Sequence, residues 1–198
     1  MENYRTEIIP EPSPSEEGRS GFLRFLLDIF ETLLLSVVLF AGINAVSARI
    51  RVDGYSMEPT LQSGEFVIVN KLAYKIGSPG HGDVVVFHYP RDPQQEYIKR
   101  VIGVPGDRVR VEAGQVFIND EPISEPYIAA PPAYEIIPEK VIPGGELFVL
   151  GDNRNNSSDS HNWGPVPMEY VVGKALVVYW PPESWGLIST PRVANAAP

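Results

Sequence analysis

One apolar segment near the start of the chain constrains the fold more than any other feature. Between Thr32 and Ala48 there is no charged residue, and this run approaches the roughly 17–25 residues that a helix needs to span a bilayer. From Val37 to Ala41 the segment would be apolar on every helical face, which favours lipid over a protein core. We therefore predict one transmembrane helix over residues 22–48.

Charged residues precede the apolar run without excluding a membrane helix. Arg24, Asp28 and Glu31 share one helical face by their spacing and can lie at the headgroup level, with Arg24 extending outward. Two alternatives remain, a buried core helix and a cleaved secretory signal ending near "VSA" at residues 46–48. The preceding tail is long and acidic, which favours a retained anchor over a cleaved signal.

The tail before the helix has a different character. Residues 1–20 include "PEPSPSEEG", whose prolines, serines and glutamates bury too little apolar surface to fold. We therefore predict a disordered tail. Arginines lie on both sides of the apolar run, and their balance does not decide which side faces the cytoplasm.

Short strand-like runs fill residues 49–198. Alternating or β-branched stretches such as "DVVVFHY", "RVRVEAGQVFIND" and "ALVVYW" are separated by Gly, Pro and Asn-Asp turns. No glycine-rich turn leads from a strand into a helix, which argues against a parallel nucleotide-binding sheet. The pattern predicts a mainly β domain, built on an antiparallel β-sheet with sandwich or barrel character.

Composition excludes several functional classes. The net charge of −9 disfavours nucleic acid as a partner. The chain has no cysteine, which rules out disulfides, thiolate metal sites and cysteine nucleophiles. The histidines, His81, His88 and His161, show no metal-ligand spacing. We expect neither a metal nor a cofactor.

A serine in an unusual setting raises the question of chemistry. Ser56 lies in "GYSMEPTL", which lacks the small-residue flanks of a hydrolase nucleophile elbow, and no histidine is near it in sequence. Spacing alone permits a triad of Ser56, His161 and Asp159, because triads assemble in space. Asp159 and His161 would then have to orient one another across two residues of one loop, which we regard as an awkward arrangement.

Lys99 differs from the other lysines in its surroundings. In "EYIKRVIGV" it shares a predicted strand face with Tyr97 and Val101, while Ile98 and Arg100 point the other way. A buried amine without an acidic partner has a lowered pKa, and the neutral amine is a competent general base near neutral pH. The alternative, a strand lysine with a hydrated amine, is the one that composition alone favours.

A third segment is dense in hydrogen-bonding groups. The stretch Gly151–Pro165, "GDNRNNSSDSHNWGP", is long for a hairpin loop, and Trp163 indicates packing at its end. A solvated turn is the simplest interpretation. We also consider that Arg154 clamps the loop by pairing with Asp152 or Asp159.

Taken together in this order, the segments resemble the bacterial type I signal peptidase family, with most likeness to its cyanobacterial and chloroplast members. The matching motifs are GYSMEPTL (residues 54–61), GDVVVF (82–87), YIKRVIGVPGD (97–107) and GDNRNNSSDSHNWG (151–164). Each motif is moderately specific, and the four in this order downstream of an apolar anchor are highly specific. The resemblance covers residues 22–181.

The resemblance implies a serine endopeptidase with a Ser/Lys dyad. It makes Ser56 the nucleophile and Lys99 the general base. It places Ser157 beside the lysine amine, where the hydroxyl helps to orient that amine, and it makes Asp159 a support of the loop. The backbone N–H of Ser56 would line the oxyanion hole.

Two positions depart from the family pattern. Gly54 stands where some members carry a serine that adds a hydroxyl donor to the oxyanion hole, so this donor is missing here. His161 stands where many members carry an arginine. A permanently charged pair with Asp159 is therefore not expected in this chain.

The resemblance also implies substrates and topology. Such enzymes remove signal peptides from exported preproteins after small residues, in an Ala-X-Ala pattern, and the peptide is expected to bind as an added strand. The motif positions that imply substrate binding are Met57, Leu61, Val86, Tyr97 and Ile98. The tail would be cytoplasmic, and residues 49–198 would lie on the extracytoplasmic side of the cell membrane, at the lipid bilayer.

Two other functions are compatible with the same segments. A membrane-tethered protease that cuts itself with this dyad would need a cleavage segment such as "IAAPP" (128–132) or "VANAA" (193–197). A catalytically inactive, membrane-anchored binding module would need neither a nucleophile nor a base. The presence of both Ser56 and Lys99 argues against the binding module.

Overall fold

The computed structural model describes residues 14–134 and 136–191, and the chain divides between Ala45 and Val46 into two compact units. Helix α1, Pro14–Val46, forms the described part of the first unit, and its last residue belongs to the second unit. Its segment Gly21–Val46 has 26 residues with a mean hydropathy of 2.1, and none of its most apolar stretch is buried. This segment is therefore long and apolar enough to cross a membrane and is not a buried core helix.

The helix begins and ends earlier than predicted. It starts at Pro14 instead of residue 22, so residues 14–20 of the predicted disordered tail are helical, and proline is well tolerated in a first helical turn. It ends at Val46 instead of residue 48, because Ser47 and Ala48 pair with another strand. The remainder of the predicted tail, residues 1–13, lies outside the described residues.

The second unit contains the strands, two short α-helices and two 3₁₀ turns. Its elements are β1 Ser47–Arg51, β2 Phe66–Asn70, α2 Ala73–Ile76, β3 Val84–Tyr89, β4 Asp92–Gly103, β5 Arg108–Glu112, β6 Gln115–Ile118, β7 Glu121–Pro122, β8 Ile136–Val141, β9 Glu146–Leu150, α3 Ser160–Trp163, β10 Val166–Pro167, β11 Val171–Trp180 and β12 Gly186–Leu187.

The strands form two antiparallel sheets. The larger has eight strands in the order β1-β2-β11-β3-β4-β9-β10, with β12 paired to β11, and the smaller has four in the order β7-β6-β5-β8. Every pairing between described strands is antiparallel. The predicted mainly β, antiparallel class is confirmed.

Strand β3 lies in the middle of the larger sheet and is buried on both faces. Val84 and Val86 belong to one core cluster, while Val85 and Phe87 belong to a second cluster on the opposite face. Side chains alternate between faces along a strand, so a strand covered on both sides reads as a continuous apolar run. This explains the "VVVF" sequence. A third core cluster joins the smaller sheet to strands β4 and β9 of the larger sheet.

The position of β4 puts two charged side chains in the centre of the larger sheet. Lys99 is paired with Val85 of β3, and Arg100 is paired with Leu150 of β9. Both charged residues are buried, with 4% of Lys99 and 0% of Arg100 exposed. Burial of charge is unfavourable unless partners satisfy it, so these two positions indicate a site.

Candidate active site

Ser56 lies in the connection that follows β1 and returns the chain to β2. Backbone hydrogen bonds close the base of this connection, from Val52 N–H to the Glu65 carbonyl at 2.7 Å and from Gly64 N–H to the Val52 carbonyl at 2.9 Å. Gly54 has a φ of 96°, a left-handed conformation that glycine adopts without steric penalty. Local backbone geometry thus explains why a glycine, and not a serine, stands two residues before Ser56.

The lysine amine contacts the serine hydroxyl across the fold. Lys99 Nζ donates to Ser56 Oγ at 2.8 Å and to the Ile98 carbonyl at 3.0 Å. The hydrated alternative for this lysine is therefore wrong. Burial lowers the pKa of Lys99 from 10.5 to about 8, and the nearby carboxylates of Asp159 and Asp152 oppose this shift.

A cleft of about 630 Å³ opens onto this pair. Of the residues expected to bind substrate, Val86, Tyr97 and Ile98 lie on its wall, and Gly54 lies on its rim. The complete lining is Ile50, Arg51, Asp53, Gly54, Tyr55, Ser56, Val86, Gln95, Glu96, Tyr97, Ile98, Lys99, Asn156 and Ser158.

Met57 and Leu61 do not line the cleft. They are buried in the core with 1% and 0% exposure, in the cluster that contains Val52 and Val67. The connection coils back here, with the Leu61 N–H donating to the Met57 carbonyl at 2.9 Å. This local turn directs both side chains under the Ser56 segment, a direction that the motif position did not indicate.

Residues 151–159, which we call the site loop, pack against the backbone of the nucleophile segment. Asn153 N–H donates to the Ser56 carbonyl at 3.0 Å, and Asn153 Nδ2 donates to the Tyr55 carbonyl at 3.1 Å. A Cβ at Gly151 would lie 2.4 Å from the Ser56 carbonyl oxygen and 2.3 Å from Ser157 Oγ. The loop approaches Ser56 so closely that only glycine fits at position 151.

Ser157 does not make the contact expected of it. Its Oγ is buried and has no hydrogen-bond partner among the described residues. The Lys99 amine directs its hydrogen bonds to Ser56 Oγ and the Ile98 carbonyl instead. A buried hydroxyl without a partner costs about 1–3 kcal/mol, so an unsatisfied group at this position calls for an explanation in function.

Asp159 and His161 do orient one another, contrary to the sequence-based expectation. His161 Nδ1 lies 2.6 Å from Asp159 Oδ1, and the His161 N–H donates to the same oxygen at 3.2 Å. The other oxygen of this fully buried carboxylate accepts from Gly151 N–H at 2.9 Å. Asp159 is the N-cap of α3, and cap geometry brings the side chain two positions later beside the carboxylate.

The triad of Ser56, His161 and Asp159 does not form in this structure. No hydrogen bond joins His161 to Ser56 among the described residues, and the Ser56 hydroxyl is engaged by Lys99. The imidazole instead stacks on Tyr134, with ring centroids 4.6 Å apart.

The arginine clamps differ from those considered from the sequence. Asp152 pairs with Arg100, whose Nε and Nη2 donate at 2.8 and 2.7 Å. Arg154 pairs with Glu125, with one bond at 2.7 Å and a second between Nη2 and Oε1. The pairing of Arg154 with Asp152 or Asp159 is therefore wrong, because β4 supplies the guanidinium that occupies Asp152. No local signal identified Glu125, which lies 29 positions before its partner.

Comparison with known proteins identifies the chain's relatives. The family model described as "Signal peptidase, peptidase S26" matches residues 25–180. The chain is 45% identical over 170 residues to the probable signal peptidase I-2 of a Synechocystis species, covering 82% of this chain and 77% of that protein. It is 44% identical over 174 residues to a signal peptidase I of Leptolyngbya laminosa, covering 84% and 85%.

A plant protein is also similar. The chain is 37% identical over 185 residues to the chloroplastic thylakoidal processing peptidase 1 of Arabidopsis thaliana, covering 85% of this chain and 54% of that protein. The residues matched by the family model include all four motifs. The chain belongs to the signal peptidase family, peptidase S26, whose members are serine endopeptidases that remove signal peptides from preproteins.

Proposed function

We propose that this signal peptidase cleaves with a Ser56/Lys99 dyad while α1 anchors it in a membrane, with residues 49–198 on the extracytoplasmic side. The observation that carries the proposal is the 2.8 Å hydrogen bond between Lys99 Nζ and Ser56 Oγ at the base of an open cleft. Among the described residues, no carboxylate is hydrogen-bonded to this amine. A neutral amine is therefore accessible near pH 8.

The mechanism follows from the donor and acceptor atoms. Neutral Lys99 takes the proton of Ser56, and Oγ attacks the scissile carbonyl carbon to give a tetrahedral intermediate. The lysine ammonium then gives its proton to the departing amide nitrogen, and the C–N bond breaks. The acyl-enzyme is hydrolysed by water, with Lys99 again accepting a proton.

The oxyanion requires donors that are free before substrate binds. The Ser56 N–H makes no hydrogen bond to described residues, and we assign it to the oxyanion. Gly54 offers no side chain, but Asn156 and Ser158 line the same cleft. Their side chains hold donors without partners among the described residues, so they are candidates to replace the missing hydroxyl.

Specificity for small residues fits the cleft wall. Val86, Tyr97 and Ile98 give it an apolar surface beside Ser56, and a shallow apolar surface excludes large side chains on steric grounds. Ser157 and Asp159 are assigned supporting roles. Ser157 Oγ is buried without a partner and is available to accept from the Lys99 amine when the proton moves, and Asp159 holds the site loop through Gly151.

Exposed apolar side chains on the second unit suit contact with a bilayer surface. Trp185 is 71% exposed and Leu187 is 85% exposed, and tryptophan is favoured where an apolar phase meets water. Together with the apolar segment Gly21–Val46, they support catalysis at the membrane. The substrate, a signal peptide, is itself held in a bilayer.

The experiment that tests the proposal compares cleavage by two serine-to-alanine variants. The full chain is reconstituted in lipid vesicles with a preprotein carrying an Ala-X-Ala site. Ser56→Ala should lower kcat by at least about 10³-fold, while Ser189→Ala, at an exposed serine outside the cleft, should match the wild type. Substantial cleavage by Ser56→Ala would move the nucleophile elsewhere and overturn the proposal.

The rival self-cleaving protease is tested by mapping the termini of the purified protein. In the structure, the "IAAPP" segment is held by Asn155, which donates to the Pro131 carbonyl at 3.1 Å and accepts from the Ala133 N–H at 2.7 Å. The "VANAA" segment lies outside the described residues. New termini within either segment that are absent from Ser56→Ala would favour the rival.

A further inference from the structure

The connection between β7 and β8 leaves the small sheet and reaches the site loop. This connecting segment, residues 123–134, contains Glu125 and Tyr127. Its Glu125 side chain is only 5% exposed, and the side chain of its partner Arg154 is fully buried. Two buried charges from different parts of the chain thus meet behind the loop that contacts Ser56.

Several hydrogen bonds hold both members of this pair in place. Arg154 contacts both carboxylate oxygens of Glu125, and one of those oxygens also accepts from the Tyr127 hydroxyl at 2.8 Å. The remaining guanidinium edge is used within the loop, where Arg154 Nε donates to the Gly151 carbonyl at 3.1 Å. Glu125 therefore fixes the guanidinium, and the guanidinium fixes the start of the loop.

Two sets of contacts connect this ion pair to the residues of the dyad. Gly151 touches the Ser56 backbone, and Asn153 donates to the Ser56 carbonyl at 3.0 Å. On the other side, the ring of Tyr127 lies 4.0 Å from the guanidinium carbon of Arg100, the neighbour of Lys99 in β4. The connecting segment thus contacts both the loop behind the nucleophile and the strand that carries the lysine.

We propose that Glu125 is a positioning residue for cleavage, holding the site loop against the Ser56 backbone through Arg154. The inference rests on the proposed Ser56/Lys99 dyad. Stability alone does not account for the pair, because a buried ion pair can often be replaced by apolar side chains without loss of stability. Catalytic groups, in contrast, must be held within about 0.5 Å of the geometry that allows the reaction. A displacement of about 1 Å can lower the rate about 10²-fold.

The test separates stability from catalysis by removing the whole pair. In the full chain in detergent micelles, Glu125→Met combined with Arg154→Met leaves no unpaired charge. The expected result is a melting temperature close to that of the wild type and a kcat on a short signal-peptide substrate lowered by about 10–10²-fold. KM and the pH midpoint of the acidic limb should change little, since the cleft wall and Lys99 are intact.

The control removes an arginine–carboxylate pair on the surface of the smaller sheet. Arg108 and Asp120 are paired on the surface, with side chains 44% and 61% exposed. Arg108→Met with Asp120→Met should leave kcat unchanged. Wild-type kcat in the stable Glu125/Arg154 double variant would overturn the positioning role and leave a purely structural ion pair.

A second variant covers the case in which the double variant fails to fold. Glu125→Gln keeps the shape but turns an amide NH₂ toward a guanidinium donor, so the two-bond contact is lost. It should lower kcat by several-fold to tenfold with KM kept, and wild-type kcat here also overturns the inference. Ser56→Ala is measured in parallel, because activity in that variant contradicts the dyad itself, whereas an inactive Ser56→Ala beside a fully active Glu125→Gln contradicts only the role of Glu125.

Discussion

Lys99 lowers the stability of the fold, and its removal should therefore stabilise the protein in a pH-dependent way. Burial lowers the pKa of Lys99 from 10.5 to about 8. Below pH 8 the folded and the unfolded chain both hold the proton, and the full cost of burying an ammonium is present. Between the two pKa values the unfolded chain binds more protons than the folded chain, so stability rises with pH. Above 10.5 the cost is absent.

The size of the effect follows from the two pKa values. One pKa unit corresponds to 1.36 kcal/mol, so the cost below pH 8 is about 3 kcal/mol. By the same relation it falls to about 1 kcal/mol at pH 9.5. Lys99→Met keeps the packing of the stem and removes the ammonium. Its advantage in unfolding free energy over the wild type should thus shrink by about 2 kcal/mol from pH 7 to pH 9.5.

Thermal unfolding of the full chain in detergent, followed by tryptophan fluorescence, measures this difference. For a chain of this size about 1 kcal/mol shifts the melting temperature by roughly 2–4 °C, so the gap between variant and wild type should narrow by roughly 4–8 °C. The hydrogen bonds that are lost with the amine lower the unfolding free energy of the variant by the same amount at both pH values. This loss therefore cancels when the two pH values are compared. Lys75→Met, at an exposed lysine, should show no such narrowing.

The pH dependence of cleavage should reflect the same protonation of Lys99. Activity of the wild type should rise with pH along an acidic limb with a midpoint near 8, and Lys99→Met should be inactive although folded. A stability gap that is equal at pH 7 and pH 9.5 would refute the burial argument. An acidic limb that vanishes in a variant of His81, His88 or His161, with activity kept in Lys99→Met, would make a histidine the base.

Three further outcomes are expected. Asp152→Asn leaves the Arg100 guanidinium buried without its carboxylate and should cost about 3–5 kcal/mol, seen as a melting temperature far below that of Asp53→Asn at the exposed cleft rim. His161→Arg keeps a donor beside Asp159 and should leave kcat/KM near the wild-type value; an inactive variant would show that the imidazole has a role that arginine cannot fill. Deleting residues 1–45 preserves β1, and the truncated protein should still cleave a short peptide in detergent. Deleting residues 1–51 removes the strand that pairs with β2 and should lower the melting temperature. Equal stability of the two truncated proteins would contradict a structural role for β1.

Local patterns were sufficient for the broad architecture. The uncharged run after Thr32 predicts a membrane-length helix because hydropathy needs only neighbouring residues. Alternation and turn residues predict antiparallel strands for the same reason. The family resemblance then supplied an expected role for Ser56 and Lys99, since motif order carries information that periodicity does not.

The sequence does not predict which way side chains point in segments outside regular helices and strands. Met57 and Leu61 lie one and five positions after Ser56, yet a turn buries both beneath it. The Asp159–His161 contact depends on the N-cap geometry of α3, which a polar loop sequence does not predict. In both cases the backbone turn decides the direction, and a turn of this kind has no periodic signal.

Residue types and their spacing along the chain are enough to predict an apolar helix and a β-rich domain, and they contain the motifs that place the chain in its family. Which charged groups meet depends instead on how the strands and loops pack in three dimensions. Arg100 reaches Asp152 because β4 pairs with β9, and Glu125 reaches Arg154 because a connection of the small sheet packs behind the site loop. The 2.8 Å contact between Lys99 and Ser56 joins residues 43 positions apart. Strand register and loop packing bring such partners together. The local sequence around each partner predicts neither the register nor the packing.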